Sequence, residues 1–267
     1  MYEIYNLTAT DNVEVIEAAG PFIVLAHRYN LNAKKQDASK AFYNARLAHK
    51  TRQLICSLEK DDVIIAEGMM QWMVGTVEMV SGASNVFSYM GKLFKGKITG
   101  QKAIAPRYSG VGTIALEPVN QEILLIDLEQ WPEGLVIESD MFLAASGGVE
   151  RSVIARSNLS SAMFGNEGIF NMVLKGKGIA AILSPAVREQ LLVIQLEDDV
   201  LQIDGHFAFA WSAGLDFRVE NAGDSVMSAV ISKEGMVNTY RGTGRVLRYP
   251  LRCVHPQTRE MGNRNNR

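Results

Sequence analysis

The sequence predicts an all-β protein built from three copies of one unit, and three observations predict it. Gly-x-Gly pairs recur at Gly110/Gly112, Gly176/Gly178 and Gly242/Gly244, 66 residues apart both times. The sequence around them repeats as well, in short β-branched, apolar, partly alternating runs with turn residues every eight to twelve positions. Long helical periodicity is missing from all three copies, which leaves a sandwich or barrel as the expected architecture.

Each unit opens with an apolar run ending in Leu-Glu: Leu54 to Glu59, Leu124 to Glu129 and Leu192 to Glu197. A short acidic or Pro/Gly-bearing turn follows, then a second run: Val63 to Met69, Leu135 to Phe142 and Val200 to Phe207. Two such runs around a tight turn predict a hairpin in every unit. Later, Glu167-Gly168 corresponds to Glu234-Gly235, with Gly100-Gln101 in the more divergent first copy. Each unit closes at a proline, Pro118, Pro185 or Pro250, which suits a strand end because proline donates nothing to a ladder. The boundaries are 53–118, 119–185 and 186–250, between an N-terminal region 1–52 and a basic tail 251–267. Units of this size are each small for an independent core, so they are expected to pack as one body about a shared pseudo-threefold axis.

Within 1–52, Tyr2 to Tyr5 and Phe22 to Ala26 read as strands, with Ala19-Gly20-Pro21 as a turn. Asp37 to Leu54 reads as the one N-terminal helix, apolar at Ala41, Phe42, Ala45 and Ala48. It is expected to cap an open edge of the β body, or else to dock a partner.

The chain has 267 residues, 47% of them hydrophobic and 21% charged, which is ordinary for a globular protein. A net charge of −2 argues against nucleic-acid binding over the whole surface. The exception is local: Arg241, Arg245, Arg248, Arg252, Arg259, Arg264 and Arg267 face only Glu260 in their stretch, which reads as a frayed tail or a polyanion-binding arm. No run approaches the roughly 18 apolar residues of a transmembrane helix, and the N-terminus lacks a signal pattern, so a cytoplasmic location is expected. Cys56 and Cys253 form no CxxC and read as reduced structural thiols.

No complete catalytic, cofactor-binding or metal-ligating constellation emerges, so no site residue and no cofactor is assigned. The four histidines, His27, His49, His206 and His255, lack the spacing of a metal site; His206 alone sits in a repeat strand, where a packed or surface role is favoured. Ser146-Gly147-Gly148 and Ser109-Gly110 read as turns, since neither belongs to a G-x-S-x-G elbow. The Gly-x-Gly pairs precede strands, not helices, and read as bulges or close backbone approaches placed just before a unit's last strand. Glu167, Glu234 and Gln101 read as turn residues, and Lys175 and Lys177 as solvated turn lysines. Met69, Met70, Met73, Met79 and Met90 crowd the first unit beside Trp72; core packing is favoured, with a partner interface as the alternative.

Four blocks in order, "VIIAEGMMQWM", "SDMFLAASGGVE", "MFGNEGIFNMVLKGKGIAAILSP" and "IDGHFAFAWSAGLDF…SKEGMVNTYRGTGRVLRYP", resemble the "altered inheritance of mitochondria" family across residues 55–250. The resemblance implies a fold like that of the tryptophan RNA-binding attenuation protein: three β-sandwich units of double-stranded β-helix type, in pseudo-threefold arrangement, with a tendency to oligomerise. It implies no established enzymatic activity. The N-terminal insert and Arg-rich tail depart from the family pattern.

A non-enzymatic, homo-oligomeric scaffold or interaction protein is therefore the favoured function, with partners docking on the N-terminal helix or the Met/Trp-rich first unit. RNA or polyanion binding through Arg241–Arg267 is the alternative. A small-ligand or metal site between the repeats is the third reading.

Overall fold

The computed structural model describes residues 2–8, 10–29, 38–39, 42–43, 50–59, 61–80, 105–155, 170–204, 207–221 and 236–249. Strands dominate. The N-terminal region contributes β1 (Val13–Ala19) and β2 (Phe22–His27), a hairpin through Gly20. Next come β3 (Thr51–Leu58), β4 (Val63–Ile65), β5 (Met70–Val80) and β6 (Arg107–Leu116). The central segment holds β7 (Glu122–Asp127), β8 (Leu135–Glu138), β9 (Phe142–Ser146), β10 (Val149–Ala155), β11 (Phe170–Gly176) and β12 (Ile179–Ser184). The last holds β13 (Leu192–Asp204), β14 (Ala208–Ser212), β15 (Asp216–Asn221) and β16 (Met236–Arg248).

These strands form two curled sheets, one of nine strands and one of seven. The first runs β1-β2-β3-β6-β4-β9-β12-β7, with β5 added beside β6; the second runs β10-β11-β8-β14-β16-β13, with β15 beside β16. The sheets curl because single long strands serve two sets of neighbours. Along β6, Arg107 and Tyr108 pair with β4 while Gly112 to Ala115 pair with β3. Along β16, the last residues pair with β14 and the first with β15, while β13 follows the opposite side.

The glycine pairs sit at these changes of partner. Gly110, Gly176 and Gly242 have φ of +110°, +107° and +113°, a region that favours glycine. A Cβ on Gly110 would overlap the Thr76 carbonyl oxygen, and one on Gly176 would come within 2.6 Å of the Gly148 oxygen. The expected close backbone approach is thus present at Gly110 and Gly176, while Gly242 meets only a side chain. The expected position is corrected: Gly110/Gly112 and Gly242/Gly244 lie inside β6 and β16, and only Gly176–Gly178 separates two strands.

Other expectations are corrected too. The predicted hairpins do not form: β3 and β4 each pair with β6, and β7 and β8 lie in different sheets. In the third segment, the two predicted runs are one strand, β13, whose acidic "turn" is a bulge between Leu196 and Asp199. Asp198 there adopts φ +51°, and its N–H donates to Thr243 Oγ1 at 3.0 Å. Tyr2 to Tyr5 are not a strand, and the missed strand is β1. Most of the predicted helix Asp37–Leu54 lies outside the described residues. Ala38, Ser39, Phe42 and Tyr43 have helical backbone, but Thr51 to Leu54 belong to β3, where Leu54 is fully buried beside Val24 of β2.

One hydrophobic cluster draws on strands from β4 onward, joining Ile64, Leu124, Leu135, Ile182, Phe209 and Leu247. Burial of each such side chain contributes about 1.5–3 kcal/mol. A second cluster lies under β2, β3 and β6, and a third gathers Trp211, Tyr240 and Val246. Trp211 packs edge-on to Tyr240, with ring centroids 5.4 Å apart, and Phe217 completes the aromatic group.

Edges are treated unequally. The outer side of β3 is filled by β2, in register from Phe22↔Cys56 to His27↔Thr51. The outer side of β7 is held by side chains: Glu17 accepts from the Leu125 N–H at 3.4 Å, Arg188 donates to the Leu125 carbonyl at 3.0 Å, and the two are ion-paired at 2.8 Å. Among the described residues, β13 pairs with β16 alone and β5 with β6 alone.

Candidate functional site

The reactive residue types are dispersed and tied down by local structure. His27, at the end of β2, shares a hydrogen bond of 3.2 Å with Gln53 Oε1. Gln53 Nε2 donates to Gln71 Oε1 at 3.0 Å and to the Leu116 carbonyl at 2.9 Å. The polar chain ends where Gln71 donates to Glu117 at 3.4 Å. It bridges β2, β3, β5 and the end of β6, and it satisfies a nearly buried amide instead of presenting a base to a cleft. His49, His206 and His255 lie outside the described residues, as do Gln101, Glu167, Glu234, Met90 and Cys253.

Ser146 ends β9, and Gly147-Gly148 form the turn into β10, as expected. Its Oγ accepts from the Ile179 N–H at 3.0 Å and donates to the Ile179 carbonyl at 3.3 Å, so both of its capacities are spent on backbone. Ser212 repeats the first bond, accepting from the Arg245 N–H at 2.9 Å. Ser109 and Gly110 are not a turn: they lie within β6. The glycine pairs do not make a phosphate cradle either. An anion requires converging N–H donors, whereas Gly110 and Gly176 are faced by carbonyl oxygens. Among the described residues, no group of three or more His, Cys, Asp or Glu is placed to hold a metal ion.

The described part of the arginine-rich stretch is engaged. Arg241 pairs with Glu220 at 2.9 Å. Arg245 lies over the Trp131 ring, 4.2 Å from its centroid, and donates to the Gln130 carbonyl. Arg248 lies over Phe207 at 5.9 Å. Arg252, Arg259, Arg264 and Arg267 lie outside the described residues. Lys175 and Lys177 are exposed.

A second basic spot had no sequence signal beyond an arginine in an otherwise apolar strand. Arg107 donates to Asp62 at 3.2 Å and to the Gly147 carbonyl at 2.9 Å. Arg151 of β10 lies over Phe142 at 5.1 Å, and burial, followed by the neighbouring Arg107 charge, lowers its pKa. Cys56 is fully buried, and burial pushes its thiol pKa up, which keeps it protonated and unreactive.

The surface feature that stands apart is the pair of open edges. Met70, Met73 and Met79 of β5 are 37%, 44% and 58% exposed, which corrects the expectation of core packing for them; among the described members of the cluster, Met69 and Trp72 pack partly inward. Outward-facing residues of a strand gain burial only from what covers them, and among the described residues β5 has a neighbour on one side only. On β13, Leu192, Val193 and Val200 are exposed. Sequence reasoning missed this edge because the acidic triplet Glu197-Asp198-Asp199 read as a turn.

Comparison with known proteins adds family and fold. The family described as "Mitochondrial biogenesis AIM24" matches residues 45–251. An uncharacterised protein of Streptococcus pyogenes serotype M6 is 25% identical over 190 residues, which cover 69% of this chain and 75% of that protein. A crystal structure of a protein from Streptococcus pyogenes matches with a TM-score of 0.52 and 21% identity, covering 76% of this chain and 89% of that one. That likeness concerns the fold alone.

Proposed function

The chain belongs to the mitochondrial biogenesis AIM24 family, and from that premise we propose that it is a non-enzymatic, oligomeric scaffold or interaction protein of the cytoplasm. The observation that carries the reading is the contrast between its interior and its edges. Ser146 and Ser212 bond to backbone, Gln53 bonds to backbone and to other side chains, Arg245 and Arg248 lie on ring faces and Arg241 pairs with Glu220, while among the described residues two long strands have unpaired backbone beside exposed methionine, leucine and valine. Such edges attract another β-strand.

The architecture we propose is three similar units, 53–118, 119–185 and 186–250, packed about a pseudo-threefold axis in the manner of the tryptophan RNA-binding attenuation protein. Three sets of facts support it. The first glycine of each pair has nearly the same φ. Met70, Phe142 and Ala208 pair with Leu116, Ile182 and Arg248, spaced by 66, and each pairing is followed by a register shift of the same kind. The Ser146 and Ser212 hydroxyls cap the N–H groups of Ile179 and Arg245, also spaced by 66.

Light scattering coupled to size exclusion tests the function. The expected result is a mass that is a multiple of 29.4 kDa. A strict monomer across micromolar concentrations would overturn the reading.

A further inference from the structure

Arg107 and Arg151 belong to different sheets, yet the charge of the first is felt by the second. Arg107 opens β6 as the backbone partner of Ile64; its Nη1 donates to Asp62 Oδ2 at 3.2 Å and its Nη2 to the Gly147 carbonyl at 2.9 Å. The turn between β9 and β10 leaves room for this contact. The Gly147 N–H donates to the Asp62 carbonyl at 2.7 Å, and a Cβ on Gly147 would lie 2.7 Å from Asp62 Cβ and 2.9 Å from Arg107 Nη1, so a side chain there would push the guanidinium away.

Arg151 is placed differently. Side chains alternate along β10, so Arg151 shares the face of Val149, which is buried in the main cluster with Phe142, Ile64 and Ala105, while Glu150 and Ser152 point the other way and are exposed. Its guanidinium lies over the Phe142 ring, 5.1 Å from the centroid; the residue is half-buried, and among the described residues no hydrogen bond or ion pair satisfies it. A ring face attracts a cation but accepts little from its N–H groups. Burial first, then the Arg107 charge, lowers the Arg151 pKa, the sign expected of a cation without a counter-ion. Among the described residues, Asp62 is the only carboxylate paired with either arginine, which sets two cations against one anion.

We propose that Arg107 and Arg151 together bind the carboxylate group of a small organic acid, between the start of β6 and the core-facing side of β10. A half-buried guanidinium is costly to leave uncompensated, and an anion between the two completes the group. Guanidinium N–H groups form a planar fork that matches the two oxygens of a carboxylate. The excess is a single positive charge, which one carboxylate neutralises and a phosphate dianion would overshoot. A nucleic-acid backbone fits poorly, because two arginines beside Asp62 and the exposed Glu150 do not make a basic stripe. An acidic protein surface fits poorly as well, since Arg151 lies on the core-facing side of its strand, which a small molecule reaches more readily than a flat face does. The inference is independent of the scaffold reading, which is tested by mass.

The full-length protein is titrated with sodium acetate, with sodium chloride and with phosphate at matched ionic strength, while the Nε–H resonances of its arginines are followed by NMR. The expected result is a saturable shift of the Arg107 and Arg151 signals in acetate and a featureless drift in chloride. Arg151→Gln is expected to raise the acetate midpoint by at least about tenfold with an unchanged circular dichroism spectrum. Asp62→Asn, which removes the competing carboxylate, is expected to lower that midpoint by about threefold or more and to admit phosphate, an effect that a purely structural role for Arg151 would not produce. Equal, non-saturating shifts in acetate and chloride would mean screening alone and overturn the proposal. So would a midpoint indifferent to both substitutions, or a saturable response of the unsubstituted protein to phosphate and not to acetate.

Discussion

Arg52 of β3 and Glu122 of β7 form a two-pronged ion pair, Nε to Oε2 at 3.0 Å and Nη2 to Oε1 at 2.5 Å. The backbones are tied at the same place, since Arg52 and Val119 exchange N–H···O bonds of 2.7 and 2.8 Å. Arg52 is only 7% exposed, so it depends on this carboxylate for most of its charge compensation. Glu122→Gln keeps the shape and removes the charge. We expect a loss of about 1–3 kcal/mol in urea unfolding, because a nearly buried guanidinium is left without its counter-ion. A change below about 0.5 kcal/mol would mean that water replaces the carboxylate without cost.

The glycine pairs make a ranking testable. Gly110→Ala must both adopt φ +110° and displace the Thr76 carbonyl, whereas Gly242→Ala faces only Leu215 Cδ2 at 3.9 Å. The conformational strain common to both is about 1–3 kcal/mol. Gly110→Ala is expected to exceed Gly242→Ala by at least about 1 kcal/mol, the clash being with backbone that cannot rotate away. Equal midpoints in denaturant would contradict the close approach.

Ser212→Ala removes the acceptor of the Arg245 N–H without changing the size of the side chain much. An orphaned N–H at a nearly buried position costs about 1–3 kcal/mol. Amide hydrogen exchange supplies a local reading: Arg245 should lose protection in the variant, while distant core amides such as Leu54 change only with global stability.

Cys56 gives a pH dependence with a definite sign. Burial raises its folded-state pKa above that of the unfolded chain. Its contribution is therefore fully present below about pH 8.5, the ordinary thiol value, and is lost as pH rises beyond it, by up to about 1.4 kcal/mol per unit. The stability gap between the wild type and Cys56→Ala should narrow between pH 8 and 10. In a Cys253→Ser background, Cys56 should resist thiol reagents at pH 8 until the protein is unfolded.

The β class, the glycine spacing and the turn at Gly20 were legible because each rests on a local rule: alternation, φ preference, or the chain reversal that glycine permits. What failed depended on partners far away in sequence. Leu54 follows a helix-like pattern with Ala41, Ala45 and Ala48, yet pairs with Val24 in a sheet. Val200 to Ile203 read as the second arm of a hairpin, yet continue β13, since the acidic triplet fits a bulge as readily as a turn. The exposure of Met70 and Met73 had no local signature, because an apolar strand at an open edge is composed like one in the core. Ser146 read as a turn residue and not as a cap, and Ser212 was not singled out, because the role of both is set by backbone 33 positions away.

The clasp of Glu17 and Arg188 on Leu125 joins residues 171 positions apart. While the chain is being synthesised, β7 emerges well before Arg188 does. At roughly 5–20 residues per second, its backbone edge stays unguarded for several seconds on the ribosome. Nascent chains halted between Asp127 and Arg188 should therefore be the ones most readily captured by chaperones, and removing the clasp should lengthen the interval during which this protein misassembles with its neighbours on a polysome.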